Sequence, residues 1–177
     1  NAAGEQFHRI EVNKTAGTTV SASTSTPTNL VIDNRLLMTQ GNLDVGSNSL
    51  TGAAATQFDG GELLIGTTGT TVPALTGTYT LNAGTITFNG AGSQTIRSSA
   101  STPAIATYWN IQFSGSGTKS LSGAITASGN LTIGGTATLD VTASNFAINL
   151  AGNWTNSSSF AAQSGTVTLN GSAAQSI

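Results

Sequence analysis

The chain has 177 residues, a net charge of −2 and no cysteine, with 7% charged and 37% hydrophobic residues. Regularly recurring aliphatics exclude a disordered polar linker, and the five bases Arg9, Lys14, Arg35, Arg97 and Lys119 are too scattered for phosphate binding, so no nucleic-acid partner is expected. Without cysteine there is no disulfide, thiol nucleophile or thiolate metal site, and no apolar run approaches the ~20 residues of a membrane-spanning helix.

Taken in chain order, no signal peptide opens the sequence at Asn1, so the chain is expected to start after processing or inside a longer protein. An aromatic-led segment, FHRIEV at 7–12, is followed by NLVI at 29–32 and by Leu43-Asp44-Val45. Apolar residues then alternate with polar ones in Thr85-Ile86-Thr87-Phe88, Ile111/Phe113, Leu131/Ile133, Leu139/Val141, Phe146/Ile148/Leu150 and Thr166-Val167-Thr168-Leu169. Period-two alternation is the mark of strands. Gly, Asn and Ser turns separate the segments and nothing shows sustained helical spacing. An all-β chain with little or no helix is expected.

Self-comparison reveals a repeat. Residues 84–96 read GTITFNGAGSQTI and residues 165–177 read GTVTLNGSAAQSI, with seven of thirteen positions identical at an offset of 81. Upstream, 29–32 matches 130–133 and 7–12 matches YWNIQF at 108–113, both at an offset of 101, and 43–45 matches 139–141 at 96. The matches are collinear, so the chain reads as two copies, 1–96 and 97–177, the first carrying about 20 extra residues that fall mostly between Thr51 and Gly84. No polar cap follows Ile177. Stacked repeats need caps to close their apolar ends, so a fragment of a longer array, or a subunit covered by another chain, is expected.

Two architectures fit. One is a parallel β-solenoid with coils of about 20 residues, into which one extra coil can be inserted without disturbing its neighbours. The other is a pair of antiparallel β-sandwiches. Asn89-Gly90, Gly134-Gly135 and Asn170-Gly171 are good hairpin turns and support the sandwich. The length of the insertion and the scarcity of large aromatics favour the solenoid.

The motif FNGAGSQTI, followed by YWNIQF and then by GNLTI, resembles repeats of very large secreted bacterial surface proteins and adhesins of the filamentous-haemagglutinin-like β-solenoid kind. The resemblance covers essentially the whole chain. It implies export, residence at the cell surface and a structural or adhesive role, and it carries no catalytic residues with it. Copy one departs from the pattern at 33–40 and at 51–84, where a specialised site would have room.

Candidate chemistry is sparse. His8, the only histidine, lies beside Arg9 and Glu11, but a triad needs a positioned nucleophile. Asp59-Gly60-Gly61-Glu62 puts two carboxylates around a turn, short of the oxygen set calcium requires. Asp44 and Asp140 are the acidic pair common to both copies, each expected to face solvent between inward apolar residues. Tyr108, Trp109 and Trp154 would make a sugar-stacking platform if exposed together, although adjacent strand residues face opposite sides. Asn13-Lys14-Thr15, Asn130-Leu131-Thr132, Asn153-Trp154-Thr155 and Asn156-Ser157-Ser158 fit the glycosylation acceptor pattern by chance in so polar a chain. Thr78/Thr80, Thr85/Thr87, Thr136/Thr138 and Thr166/Thr168 would line an ice-binding ladder, at spacings that do not suit one rung per coil. No catalytic, cofactor-binding or metal-binding residue is assigned, no cofactor is expected and the chain is not read as an enzyme. The expected role is an extracellular structural or adhesive module of a surface filament, fibre or stalk; the alternative is a carbohydrate- or ice-binding module. The partners expected are other copies or flanking repeats stacked on the chain ends, and surface glycans.

Overall fold

The computed structural model describes residues 5–22 and 29–177. These residues form twenty strands and no helix, and every strand pair is parallel. The chain winds as a β-solenoid of about 7 turns.

A seven-stranded sheet, called here the second side, runs the length of the stack through Thr19–Ser21, Asn42–Asp44, Glu62–Ile65, Thr85–Phe88, Asn110–Phe113, Leu131–Ile133 and Trp154–Asn156. Its register (Thr19↔Asn42↔Glu62↔Thr85↔Asn110, then Ile111↔Leu131↔Trp154) gives coils of 23, 20, 23, 25, 20 and 23 residues. The third side carries Thr71–Val72, Gln94–Ile96, Ser116–Leu121, Thr136–Asp140 and Ser159–Ala161. The remaining side holds two sheets. The first comprises Glu5–Asn13, Asn29–Gln40, Ala55–Phe58 and Tyr79–Leu81, with Ser49–Thr51 also paired to the long second strand. The fourth comprises Ile125–Ala127, Ile148–Leu150 and Val167–Leu169. The irregular segment 98–107 separates them.

Alternation stacks into columns. Leu43, Leu63, Ile86, Ile111, Leu131 and Trp154 succeed one another along the second side, all buried. Two residues further on, Ile65, Phe88, Phe113 and Ile133 form a second buried column, in which the Phe88 and Phe113 rings stack at 5.7 Å. Each such side chain stabilises the fold by roughly 1.5–3 kcal/mol relative to exposure.

One expectation needs correction, and two further features follow from the register of the stack. Asn89-Gly90 and Gly134-Gly135 are not hairpin turns but corners between the second and third sides, and Asn170-Gly171 is the corner that follows Val167–Leu169. The copies of the thirteen-residue motif do not lie one above the other: Thr85–Phe88 is on the second side and Val167–Leu169 in the fourth sheet. Finally, Ile86 and Phe88 are buried, but so is Thr87, whose hydroxyl donates to Glu62 Oε1 at 2.5 Å, whereas Val167 and Leu169 are exposed on the last coil.

Candidate functional site

Corners are where a solenoid needs polar chemistry, because there the chain leaves one sheet and its carbonyls lose their ladder partners. At the corner after Phe88, Gln94 turns inward. Its Oε1 accepts the N–H of Gly90 at 3.1 Å, and its Nε2 donates to Ile65 O and Thr67 O of the coil before at 2.9 and 2.8 Å. Gln175 repeats this in the other motif copy, accepting from Gly171 N at 2.9 Å and donating to Leu150 O and Gly152 O at 3.0 and 2.6 Å. The repeated asparagine-glycine-to-glutamine spacing is therefore a corner clamp that ties each coil to the one beneath.

Lys119 occupies the rung after Gln94 in register. Its Nζ donates to Gly90 O, Gly92 O and Ser116 O at 2.7, 3.0 and 2.9 Å. The first two acceptors stand 29 and 27 residues upstream, as do those of Gln94. The side chain is fully buried, and that burial pushes its ammonium down to about 8.

At the entry to the second side a ladder of asparagines does similar work. Asn130 N donates to Asn110 Oδ1 at 2.8 Å, Asn153 N to Asn130 Oδ1 at 2.8 Å, and Ser176 N to Asn153 Oδ1 at 2.9 Å. One position earlier runs a column of glycines, Gly41, Gly61, Gly84, Gly129 and Gly152, interrupted by Trp109 between Gly84 and Gly129. A Cβ on Gly84 would lie 2.7 Å from Gly61 O, and its φ of +82° is left-handed.

The irregular segment 98–107 is held from inside. The Arg97 guanidinium is buried, donating to Pro73 O at 2.7 Å and Pro103 O at 2.8 Å and lying 5.9 Å from the Tyr79 ring centre. The Tyr108 hydroxyl donates to Arg97 O at 2.7 Å, and burial raises it far above the usual phenol range.

The residues singled out from the sequence are dispersed over this frame. His8 is exposed, and beside it Arg9 pairs with Glu11 at 2.7 Å. Asp59 accepts from Gln57 Nε2 at 2.6 Å and Asn82 Nδ2 at 2.8 Å, while Glu62 accepts from Thr87. Among the described residues no three His, Asp or Glu side chains gather where they could hold a metal ion. Asp44 and Asp140 are half-buried and accept backbone N–H groups two residues on, from Gly46 and Thr142, at 2.8 Å each. Both acceptors therefore brace tight turns whose third residue is left-handed, at φ 53° and 62°. Of the aromatics, Tyr108 is buried and Trp154 is 8% exposed, edge-on to Phe160 at 4.9 Å, whereas Trp109 is 41% exposed. They make no common platform. The acceptor asparagines Asn130 and Asn153 belong to the ladder, Asn156 accepts from Ser158 N at 3.0 Å, and Asn13 is an exposed strand end. The threonine pairs fall on four different sheets, with Thr80 in the first, Thr85/Thr87 in the second, Thr136/Thr138 in the third and Thr168 in the fourth.

A small cavity of about 80 Å³ opens where Ser49–Thr51 faces Thr70, Val72 and Pro73. It has room for a few waters.

Sequence reasoning missed Gln94, Gln175, Lys119, Arg97 and the asparagine ladder as a system. The signal for Lys119 was present: FSGSGTKSL at 113–121 follows FNGAGSQTI at 88–96 by one coil of 25, with lysine in the place of glutamine.

The fold and its internal clamps define a parallel β-solenoid. Compared with protein-family models, curated proteins and solved structures, the chain matches none of them.

Proposed function

We propose that this chain is a non-catalytic structural module, exported and carried at a bacterial cell surface as part of a filament or stalk. The observation that carries this reading is the use made of its polar side chains. Gln94, Lys119, Gln175, Asn110, Asn130, Asn153, Asp44 and Asp140 all bond backbone groups of their own or an adjoining coil. Such residues stiffen a rod along its axis and do not converge on a substrate. A surface poor in charge and rich in hydroxyls and amides, together with the likeness of FNGAGSQTI, YWNIQF and GNLTI to surface-protein repeats, supports export.

Antibody raised against the chain and applied to intact cells of its source tests the location directly. Labelling without permeabilisation is expected; labelling only after permeabilisation contradicts the reading. One observation favours glycan adhesion as an additional role, namely that Trp109 presents an exposed indole on the glycine column. Quenching of tryptophan fluorescence by surface polysaccharide, lost in Trp109→Ala, is the outcome that role requires; an unchanged signal contradicts it.

A further inference from the structure

Asparagine stands directly before glycine twice in the chain, at Asn89-Gly90 and at Asn170-Gly171. That dipeptide carries a built-in hazard. The glycine backbone nitrogen, once it gives up its proton, can attack the side-chain carbon Cγ of the asparagine. An N–C bond forms, the amide C–N bond breaks, the proton leaves with ammonia, and water then opens the cyclic imide to aspartate or isoaspartate. Glycine favours the attack because it has no side chain to hinder the approach. Yet the corners require glycine. A Cβ on Gly90 would lie 2.8 Å from Gly66 O and 2.9 Å from Gln94 Cδ, and one on Gly171 would run into Ala151 O.

Both glycine nitrogens are occupied. Gly90 N donates to Gln94 Oε1 at 3.1 Å and Gly171 N to Gln175 Oε1 at 2.9 Å, so in each corner the attacking atom is held by the glutamine four residues on. We propose that Asn89-Gly90 and Asn170-Gly171 are self-modification sites held shut by their own corner clamps, Gln94 and Gln175 each keeping one asparagine from deamidating. Three observations support this. First, the nitrogen must lose its proton to attack, and that proton is shared with Oε1; Gly90 is also buried, which withholds hydroxide and water. Second, Asn89 Oδ1 is buried and accepts no hydrogen bond among the described residues, so no donor polarises Cγ toward attack. A carboxylate there would be a buried charge without a partner, and an isoaspartate would lengthen the backbone of the corner, so the folded coil resists the product too. Third, the hazard and the clamp occur together. On the next rung, in register, the same corner reads FSGSGTKSL at 113–121, where Lys119 stands in the place of Gln94 and Ser114 in the place of Asn89. Lysine has donors but no acceptor. Asn-Gly is found only where an acceptor follows.

The test follows both sites in the full chain in mildly alkaline buffer. Peptide mass spectrometry reads the conversion at Asn89 and at Asn170 separately, and the chain unfolded in urea gives the unprotected rate. Both sites of the folded chain are expected to convert at least fivefold more slowly than in urea, the factor set by one hydrogen bond of about 1 kcal/mol. Gln94→Leu removes one acceptor and is expected to speed conversion at Asn89 alone; Gln175→Leu is expected to speed it at Asn170 alone. In each variant the untouched site reports on general unfolding, which would speed both. Leu131→Ala weakens the core and leaves both clamps, and is expected to keep both sites slow. An unmodified chain that converts as fast folded as in urea overturns the proposal. So does a Gln94→Leu chain with Asn89 at its native rate, a joint acceleration of both sites, or Leu131→Ala matching Gln94→Leu at Asn89. Neither corner's chemistry depends on where the chain resides, so this measurement and surface labelling of cells stand or fall separately.

Discussion

Lys119 is buried without a carboxylate, and its charge is tolerated because three carbonyl oxygens surround the ammonium. Desolvation lowers its pKa from 10.5 to about 8 in the folded chain. Between those two values the unfolded chain binds more protons than the folded one, so stability rises with pH through that window. At neutral pH the full penalty of burying the charge is present. Lys119→Gln places on this rung the side chain that Gln94 already uses at the same sequence offsets. It is expected to raise the denaturation midpoint at pH 7 and to flatten the increase between pH 8 and 10. Urea titrations at several pH values read this directly; a variant that is less stable at pH 7 contradicts the account of the clamp. The ladder makes a complementary prediction. Asn130→Ala removes the acceptor of Asn153 N and is expected to cost about 1 kcal/mol. Asn130→Asp keeps an oxygen there and is expected to recover most of that loss.

At the scale of the coil, apolar columns and close backbone contact act together. Phe88 is fully buried, stacked on Phe113 at 5.7 Å and edge-on to Tyr108 at 6.3 Å. Phe88→Ala is expected to lower stability by about 3–5 kcal/mol, because coils above and below cannot collapse into the space without losing register. A denaturant midpoint shifted by less than a third of that would mean the column is loosely packed. Alternation within coils was readable from the sequence, as was a coil of about 20 residues. Which side each motif occupies was not. Coils vary from 20 to 25 residues, so an offset of 81 carries Thr85–Phe88 out of phase, to a different sheet. Thr87 shows a second limit, since an outward residue can still be covered by neighbours such as Glu62 from the next rung. The paired Asp44 and Asp140 were found as a repeated feature, but their work lies in turn geometry that spacing alone does not reveal.

Across the whole molecule, one continuous parallel stack runs from Thr19–Ser21 to Trp154–Asn156 on the second side. Charge is distributed unevenly along it. Beyond Glu62 only Arg97, Lys119 and Asp140 carry charge, and the first two are buried. Glycines along one corner let successive coils approach, and Gly84→Val, which meets both a carbonyl and a left-handed backbone, is expected to destabilise the stack measurably in thermal unfolding. The most direct test of the parallel stack uses the absence of native cysteine. Gln112 and Thr132 are partners on adjacent rungs, whereas Thr87 and Thr132 are separated by two. Adjacent parallel strands lie about 4.8 Å apart, within the ~4.4–6.8 Å Cα separation that a disulfide spans. Under mild oxidation the double variant Gln112→Cys/Thr132→Cys is therefore expected to form an intramolecular disulfide in the folded chain, and Thr87→Cys/Thr132→Cys is expected to stay reduced. Crosslinking of the second pair without the first would contradict the parallel register on which the account depends.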